Sequence, residues 1–394
     1  MKAHPHHSVI SLVKEGVFVK CLAPMVRFSR LPFRVLSRRW GCDVAYSPMV
    51  MMESFHQSQK ARDADLTSAP FDRPLVIQFA GHDPVVFAEC FKMVCTQCDG
   101  VDLNCGCPET WVNGQGDGSA LLNKPEVVAD MIRQAVMSIP AGGARTGGRG
   151  EKEGEGEGEG EGRGEGAAGA GGRGEEEGEG EEMKNVMECA PVSMKMRIRK
   201  DLRETVEIAQ RAQAAGVSWI CVHGRTKQQN DSEPVNLEAI KAVKEAVSVP
   251  VIGNGGLMNM RGVERMREET GVDGVMAANG LLKNPAMFLG YESTPSDCIH
   301  DWMDLSCKLG MPFQFQHRHT SWMCWSGHPG GAAKRAEFNN CKSMSSAIDY
   351  LRSNIPPPSQ LALQMFNNID AKWSQSTSSS TPSSSSSTIM SSQL

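Results

Sequence analysis

Residues 100–122 read GVDLNCGCPETWVNGQGDGSALL. The apolar opening, residues 100–103, has the length and composition of a short buried strand. Asn104, Cys105 and Cys107 follow in a polar loop, and Gly114, Gly116 and Gly118 give that loop a permissive backbone. A packed strand that ends in an amide, a thiol and glycines is how a parallel barrel presents reactive groups at its mouth.

The same rhythm runs outward in both directions. Short apolar strands are expected at residues 17–22, 43–46, 75–79, 100–103, 191–198, 219–222, 250–252 and 273–276. Helical stretches at 31–40, 54–62, 84–98, 125–138, 202–215, 237–246 and 261–269 fall between them. Ser29 is placed to cap the first of these helices, and Asp83 caps the third with Pro84 at its favoured first position. Eight strands alternating with helices predict an α/β fold, a TIM (β/α)8 barrel. A doubly wound sheet is the alternative, weakened because no G-x-G-x-x-G follows an early strand.

Five segments follow from this pattern. Residues 1–16 form an N-terminal extension, and 17–293 the barrel. Inside it, 141–185 is a disordered Gly/Glu-rich insert. That insert follows a helix and precedes a strand, which puts it at the face opposite the catalytic loops. After the barrel, 294–355 is a small all-α helical domain with expected helices at 298–309, 314–325 and 332–351. Residues 356–394 are a Ser-rich tail.

Formal charge over the 394 residues is −5. Residues 141–182 hold thirteen Glu and five Lys or Arg, a local charge of −8, so the remainder carries +3. A mildly basic folded part permits an RNA partner without requiring one. Thirteen scattered Cys, an odd count, suit a reducing compartment better than a disulfide framework. Cys95 and Cys98 have C-x-x-C spacing but lack a second pair, so no metal site is expected. The chain shows neither a signal-peptide pattern nor an apolar run long enough for a membrane span. Cytoplasm is the default location, compatible with a nuclear pool, and a monomer is the expected state.

Candidate chemistry lies at the strand ends. Gln78, Asn104, Cys107, Lys195 and His223 all stand at or just past a predicted strand C-terminus. Each has an ordinary structural explanation alone: a loop hydrogen bond, a turn cap, a buried histidine. Lys195 resists one most, because lysine is rarely set between apolar strand neighbours without a partner. The glycine-rich ends of the last two strands, at 253–256 and 277–280, match the usual phosphate position of this fold, although turn geometry also uses glycine.

D-L-N-C-G-C-P at 102–108, followed by the glycine run and L-L, resembles the signature of the tRNA-dihydrouridine synthases. The likeness covers about residues 17–140 and 186–352. GLLKNPAMFLGYESTP at 280–295, the tryptophan-containing helix after it, and H-x-H at His317 and His319 resemble the helical RNA-binding domain of the eukaryotic branch that modifies positions 20a and 20b. The resemblance implies flavin mononucleotide (FMN) across the barrel top, reduced by NADPH or NADH, and tRNA as substrate. It places Pro24, Met25 and Val26 along the flavin ring, and Gln78, Asn104, Lys195 and His223 among its contacts. Asn254, Gly255, Gly256, Ala278 and Asn279 take the phosphate-loop positions. It makes Cys107 the proton donor: hydride goes to C6 of uracil and a proton to C5. A thiol with pKa of about 8.5 is still protonated at neutral pH, where a carboxyl of about 4 is not. Cys105, two residues away, is the rival thiol.

Three departures stand out. The family usually has Arg where Asn279 stands, N-G-D becomes Asn254-Gly255-Gly256, and the run after Arg225-Thr226 is KQQNDSEP instead of basic. Two other readings follow from the residues. One is a flavin reductase of a free pyrimidine, similar to dihydroorotate dehydrogenases. The other is a tRNA-binding homologue without catalysis.

Overall fold

The computed structural model describes residues 8–139, 189–325 and 331–360. The insert at 141–185 and the Ser-rich end from 361 onward lie outside the described residues.

The described residues include nine strands: β1 Val19–Leu22, β2 Val44–Tyr46, β3 Val50–Met51, β4 Leu75–Ala80, β5 Gly100–Cys105, β6 Val192–Arg197, β7 Trp219–His223, β8 Val251–Asn254 and β9 Gly274–Ala277. All pairings are parallel, and β2 pairs with both β1 and β4 while β9 returns to β1. Eight strands therefore close into a TIM barrel. The ninth, β3, lies outside the ring on the end of β4. A two-residue strand is too short to leave a period in sequence, which is why it was not expected.

Helices deviate from expectation where polar residues interrupt them. The stretch expected at 54–62 is two helices, Met52–Gln57 and Gln59–Asp65, and Ser58 caps the second by accepting from the Ala61 N–H at 3.3 Å. The helix from Pro84 ends at Val94, so Cys95 and Cys98 lie beyond it. Cys95 instead meets Cys189, sulfur to sulfur at 2.6 Å. Asp83 does cap this helix, accepting from the Val85 and Val86 N–H groups. Ser29 caps nothing helical: its hydroxyl accepts from the Met25 N–H at 2.8 Å and fixes the loop after β1.

Strand alternation divides the barrel into two cores. Val101, Leu103 and Cys105 on β5, with Val192, Met194 and Met196 on β6, face the surrounding helices. Val19, Cys21, Val44, Tyr46, Val76, Trp219, Cys221 and Ile252 fill the interior. The helix Val9–Lys14, in a segment that reads as merely polar, adds Val9 and Ile10 to this inner cluster. The Trp219 indole donates to the Tyr46 hydroxyl at 2.9 Å, so its polar atom is satisfied in an apolar floor.

Among the described residues, four helices follow the barrel: Ser296–Lys308, Phe313–Met323, Gly331–Phe338 and Met344–Asn354. The last two replace the single helix expected at 332–351, because Ser343 starts a new helix with a capping box to Ser346. This group is fastened to the helix Leu31–Arg39 by burial and by one carboxylate. Phe33, Trp302 and His319 pack ring against ring in a fully buried cluster, where each large apolar side chain contributes about 1.5–3 kcal/mol. Asp301 accepts from the Arg39 guanidinium and, at 3.0 Å, from the Trp40 indole.

Gly100 shows how tightly the interior is filled. A Cβ there would come within 2.5 Å of the Trp219 ring. We expect Gly100→Ala to destabilise the fold by about 1–3 kcal/mol and lower its melting temperature by several degrees. Gly114→Ala, with open space around it, serves as the control in the same thermal unfolding series. Equal melting temperatures for the two variants would contradict this packing.

Candidate active site

Above the apolar floor the inward positions turn polar. On β4, β5 and β6 these are Gln78, Asp102, Asn104, Ser193, Lys195 and Arg197, brought level by the register Gln78 with Asp102, Asp102 with Ser193, and Asn104 with Lys195. The buried members form one hydrogen-bonded ladder. Ser193 Oγ donates to Asp102 at 2.6 Å, and Gln78 Nε2 donates to its other oxygen at 2.8 Å. Asn104 Nδ2 donates to Gln78 Oε1 at 2.8 Å. Asn104 Oδ1 then accepts from the backbone N–H groups of Gly106 and Cys107 at 3.0 and 2.9 Å. The ladder ends on the residue that the motif singled out.

Cys107 is held from its other side too. Its carbonyl accepts from the Ser119 N–H at 3.0 Å and from Asn113 Nδ2 at 3.1 Å. A Cβ at Gly118, whose φ is +61, would strike that carbonyl at 2.8 Å. Arg197 donates to the Gly106 carbonyl at 3.1 Å and to Thr226 at 2.8 Å, tying the loop to the end of β7. Burial pushes the Cys107 thiol above its ordinary value, so it carries its proton at neutral pH. Cys105 points the other way, into the helix-facing core. The extended backbone ends at Cys105, and the turn after it breaks the alternation that would have put both thiols on one side.

A cavity of about 590 Å³ opens over this ladder. Pro24, Val26, Gln78, Asn104, Cys107, Lys195 and His223 all line it. Lys195 has no carboxylate or carbonyl partner among the described residues, and burial lowers its pKa. His223 is neutral: burial first, then Lys195, Arg197 and Arg225, push it down to about 2.

Met25, Asn254, Gly255, Gly256, Ala278 and Asn279 are not in that lining. Met25 packs beneath the loop, and Asn254 Nδ2 donates to the Met276 carbonyl at 2.7 Å. Gly255, with φ +115, passes so close to His223 that a Cβ would lie 2.7 Å from its ring. Arg225 stands beside Gly256 and holds the following loop by its Glu233 and Asp231 carbonyls. Asn279 donates to the Asp231 carboxylate at 2.8 Å. The loops after β7, β8 and β9 thus meet in one corner next to the cleft.

Sequence reading missed Asp102, Ser193 and Arg197, although D-x-N at 102–104 and S-x-K-x-R at 193–197 carry the period of two that marks one strand face. His317 and His319, which carry part of the likeness to the helical domain, both make packing contacts within the fold. His317 stacks on Phe338 at 4.5 Å, and His319 donates to the Phe28 carbonyl at 3.2 Å. Burial pushes His319 down to about 3, so it is neutral there. Arg318, between them, is the residue that reaches the cleft.

Burial raises the Asp102 carboxyl to about 6, against the lowering effect of its two hydrogen bonds and of Lys195. A folded pKa above the unfolded value of about 4 means that the folded protein holds this proton more tightly. Its stabilising effect is complete below pH of about 4 and is lost as pH rises through about 6. Relative to Asp102→Asn, the wild type should lose about 3 kcal/mol of unfolding free energy over that window. Urea unfolding at several pH values measures it, and parallel profiles for the two proteins would contradict the shift.

Comparison with known proteins identifies the family. The family model described as Dihydrouridine synthase (Dus) matches residues 21–141 and 180–354. A Homo sapiens protein named tRNA-dihydrouridine(20a/20b) synthase (NAD(P)+)-like is 39% identical over 342 residues, 87% of this chain and 92% of that one. The protein of the same name from Mus musculus is 38% identical over 344 residues, covering 87% and 90%. The Schizosaccharomyces pombe tRNA-dihydrouridine(20a/20b) synthase (NAD(P)+) is 34% identical over 305 residues, covering 77% and 79%. With a family model matching most of its length and relatives aligned nearly end to end, the chain belongs to the dihydrouridine synthase family.

Proposed function

We propose that the chain is a tRNA-dihydrouridine synthase that uses FMN, reduced by NADH or NADPH, to saturate the 5,6-double bond of D-loop uridines at positions 20a and 20b. The observation that carries this reading is a protonated thiol, Cys107, locked by its own backbone at the edge of a cationic cleft on the C-terminal face of the barrel. The names of the relatives support the substrate, the positions and the nicotinamide reductant.

The residues fit the cofactor. Gln78 and Asn104 offer amides fixed by the ladder, and Lys195 offers an ammonium that lacks a described partner. At Gly255 a Cβ would fill space against His223, so the backbone there can approach a phosphate closely. Arg225 beside Gly256 supplies a cation near the corner where Asn279 does not. The flavin held there, once reduced by the nicotinamide, would supply hydride chemistry at C6 of the uracil. Lys195 sets positive charge where negative charge develops, and an anionic neighbour restores the charge that burial disfavours. Neutral His223 adds a hydrogen-bonding group without another charge. Cys107 releases its proton to C5, and the open mouth of the cleft lets solvent restore it.

The visible spectrum of the purified protein, taken before and after denaturation, tests the cofactor. Oxidised-flavin absorbance with release of FMN is the expected result. A colourless protein that takes up no added FMN would overturn it. Cys107→Ala should retain flavin and lose at least ~100-fold in dihydrouridine formation on tRNA. Cys105→Ala, which removes a packing thiol, should keep the reaction. Full turnover in Cys107→Ala would remove that residue from the mechanism.

A further inference from the structure

Two exposed groups at the cleft mouth have no role in the reading so far. Trp111 is 51% exposed and lines the cleft, four residues beyond Cys107. Its turn, Thr110–Gly114, is not loose. Val112 is fully buried beneath it, and Asn113 closes it with two hydrogen bonds to the Glu109 carbonyl, at 3.0 Å from N–H and 2.9 Å from Nδ2. An indole is therefore held out toward water by a fixed backbone. Val26, 48% exposed, adds a second apolar surface to the same mouth.

Arg27 is next to Val26, on the loop after β1. It is the non-glycine residue with positive φ among the described residues, at +71. That conformation is disfavoured for a side chain with a Cβ, and it persists only where surroundings enforce it. Its guanidinium is exposed and has no hydrogen-bond or ion-pair partner among the described residues. The loops of Arg27 and Trp111 follow β1 and β5, three pairings apart around the ring, so they approach the mouth from different sides. Between them the lining carries four cations, Arg27, Lys195, Arg197 and Arg318, against one carboxylate, Glu109. Flat apolar surface with a strong excess of positive charge suits a single strand of nucleic acid, whose bases stack and whose phosphates pair.

We propose that Trp111 and Arg27 grip the nucleotide adjoining the target uridine: its base stacks on the indole and its phosphate pairs with the guanidinium. This rests on the reading of the cleft as a tRNA-modifying site. The target base has to leave its stack to reach the depth of Cys107. Its neighbour stays at the rim, where it has lost a stacking partner, and Trp111 replaces that partner. The pair are specificity-determining residues that separate a uridine in an RNA strand from free uridine.

Equilibrium binding of full-length tRNA to the flavin-loaded protein tests this, at several salt concentrations, alongside steady-state turnover. Trp111→Ala should weaken binding roughly tenfold, the typical loss of one base–aromatic stack, and the loss should appear in KM more than in kcat. Trp111→Phe, which restores a ring, should bind within about threefold of wild type. Arg27→Gly relieves the backbone and removes the charge; it should lower the slope of log K against log salt by about one ion, whereas Trp111→Ala keeps the wild-type slope. Flavin content equal to wild type establishes that each variant is folded. Binding by Trp111→Ala within twofold of wild type, or no rescue by Trp111→Phe, overturns the proposal. If the wild type binds tRNA yet forms no dihydrouridine, the reaction assigned above fails, and the binding series still decides whether Trp111 stacks.

Discussion

A carboxylate inside an apolar barrel must be hydrogen-bonded, and much of this site follows from how Asp102 meets that requirement. Ser193 takes one oxygen and Gln78 the other. Gln78 is then committed by its nitrogen, so its oxygen is free to fix Asn104, and Asn104 fixes the backbone N–H groups at Gly106 and Cys107. One buried acid thereby sets the orientation of a loop four to five residues further on. A fully satisfied polar ladder is rigid because breaking any rung leaves a desolvated group behind. The thiol at its end inherits that rigidity without touching the acid.

The barrel divides its interior to make this possible. Trp219, Tyr46 and the apolar residues around them form a dense floor, closed from below by Val9 and Ile10. Polar residues begin inside the strands, with Gln78, Asp102 and Ser193 fully buried, and the ladder reaches the strand ends at Asn104 and Arg197. Cations then gather at the rim: Lys195, Arg197, Arg225 and, from beyond the barrel, Arg318. Burial first, and then the positive charges of Lys195, Arg197 and Arg225, keep His223 neutral. An anionic ligand entering the cleft would offset this concentration of positive charge.

The helices after the barrel do more than cover it. His319 is stacked among Phe28, Phe33 and Trp302 and donates to the Phe28 carbonyl. Phe28 belongs to the loop that carries Pro24, Val26 and Arg27, so the helical group and the cleft lip share one anchor. Arg318 follows from the same placement, its guanidinium lying 5.4 Å over the Phe28 ring. Of the H-x-H pair that carries the likeness to a helical RNA-binding domain, His319 is a buried packing anchor in the structure, and Arg318 beside it lines the cleft.

The eight-strand barrel was legible because short apolar runs, Pro and Gly punctuation and capping residues such as Asp83 are local signals. Cys107 was legible for the same reason: cysteine before proline, after D-L-N, is a compact pattern. The split of the helix at Ser58 and the strand Val50–Met51 were hidden because neither is long enough to leave a period. Tertiary structure alone decided the rest. Only closing β9 onto β1 and pairing β5 with β6 brings Asp102 beside Ser193, residues 91 apart in the chain. The packing of the barrel separates Cys105 from Cys107, aims Arg318 instead of its histidine neighbours, and gives Asn279 to Asp231. Sequence determines which faces a segment has, since side-chain periodicity is local. Which face meets which partner is fixed by strand pairing and burial, and these act between residues that the chain keeps far apart.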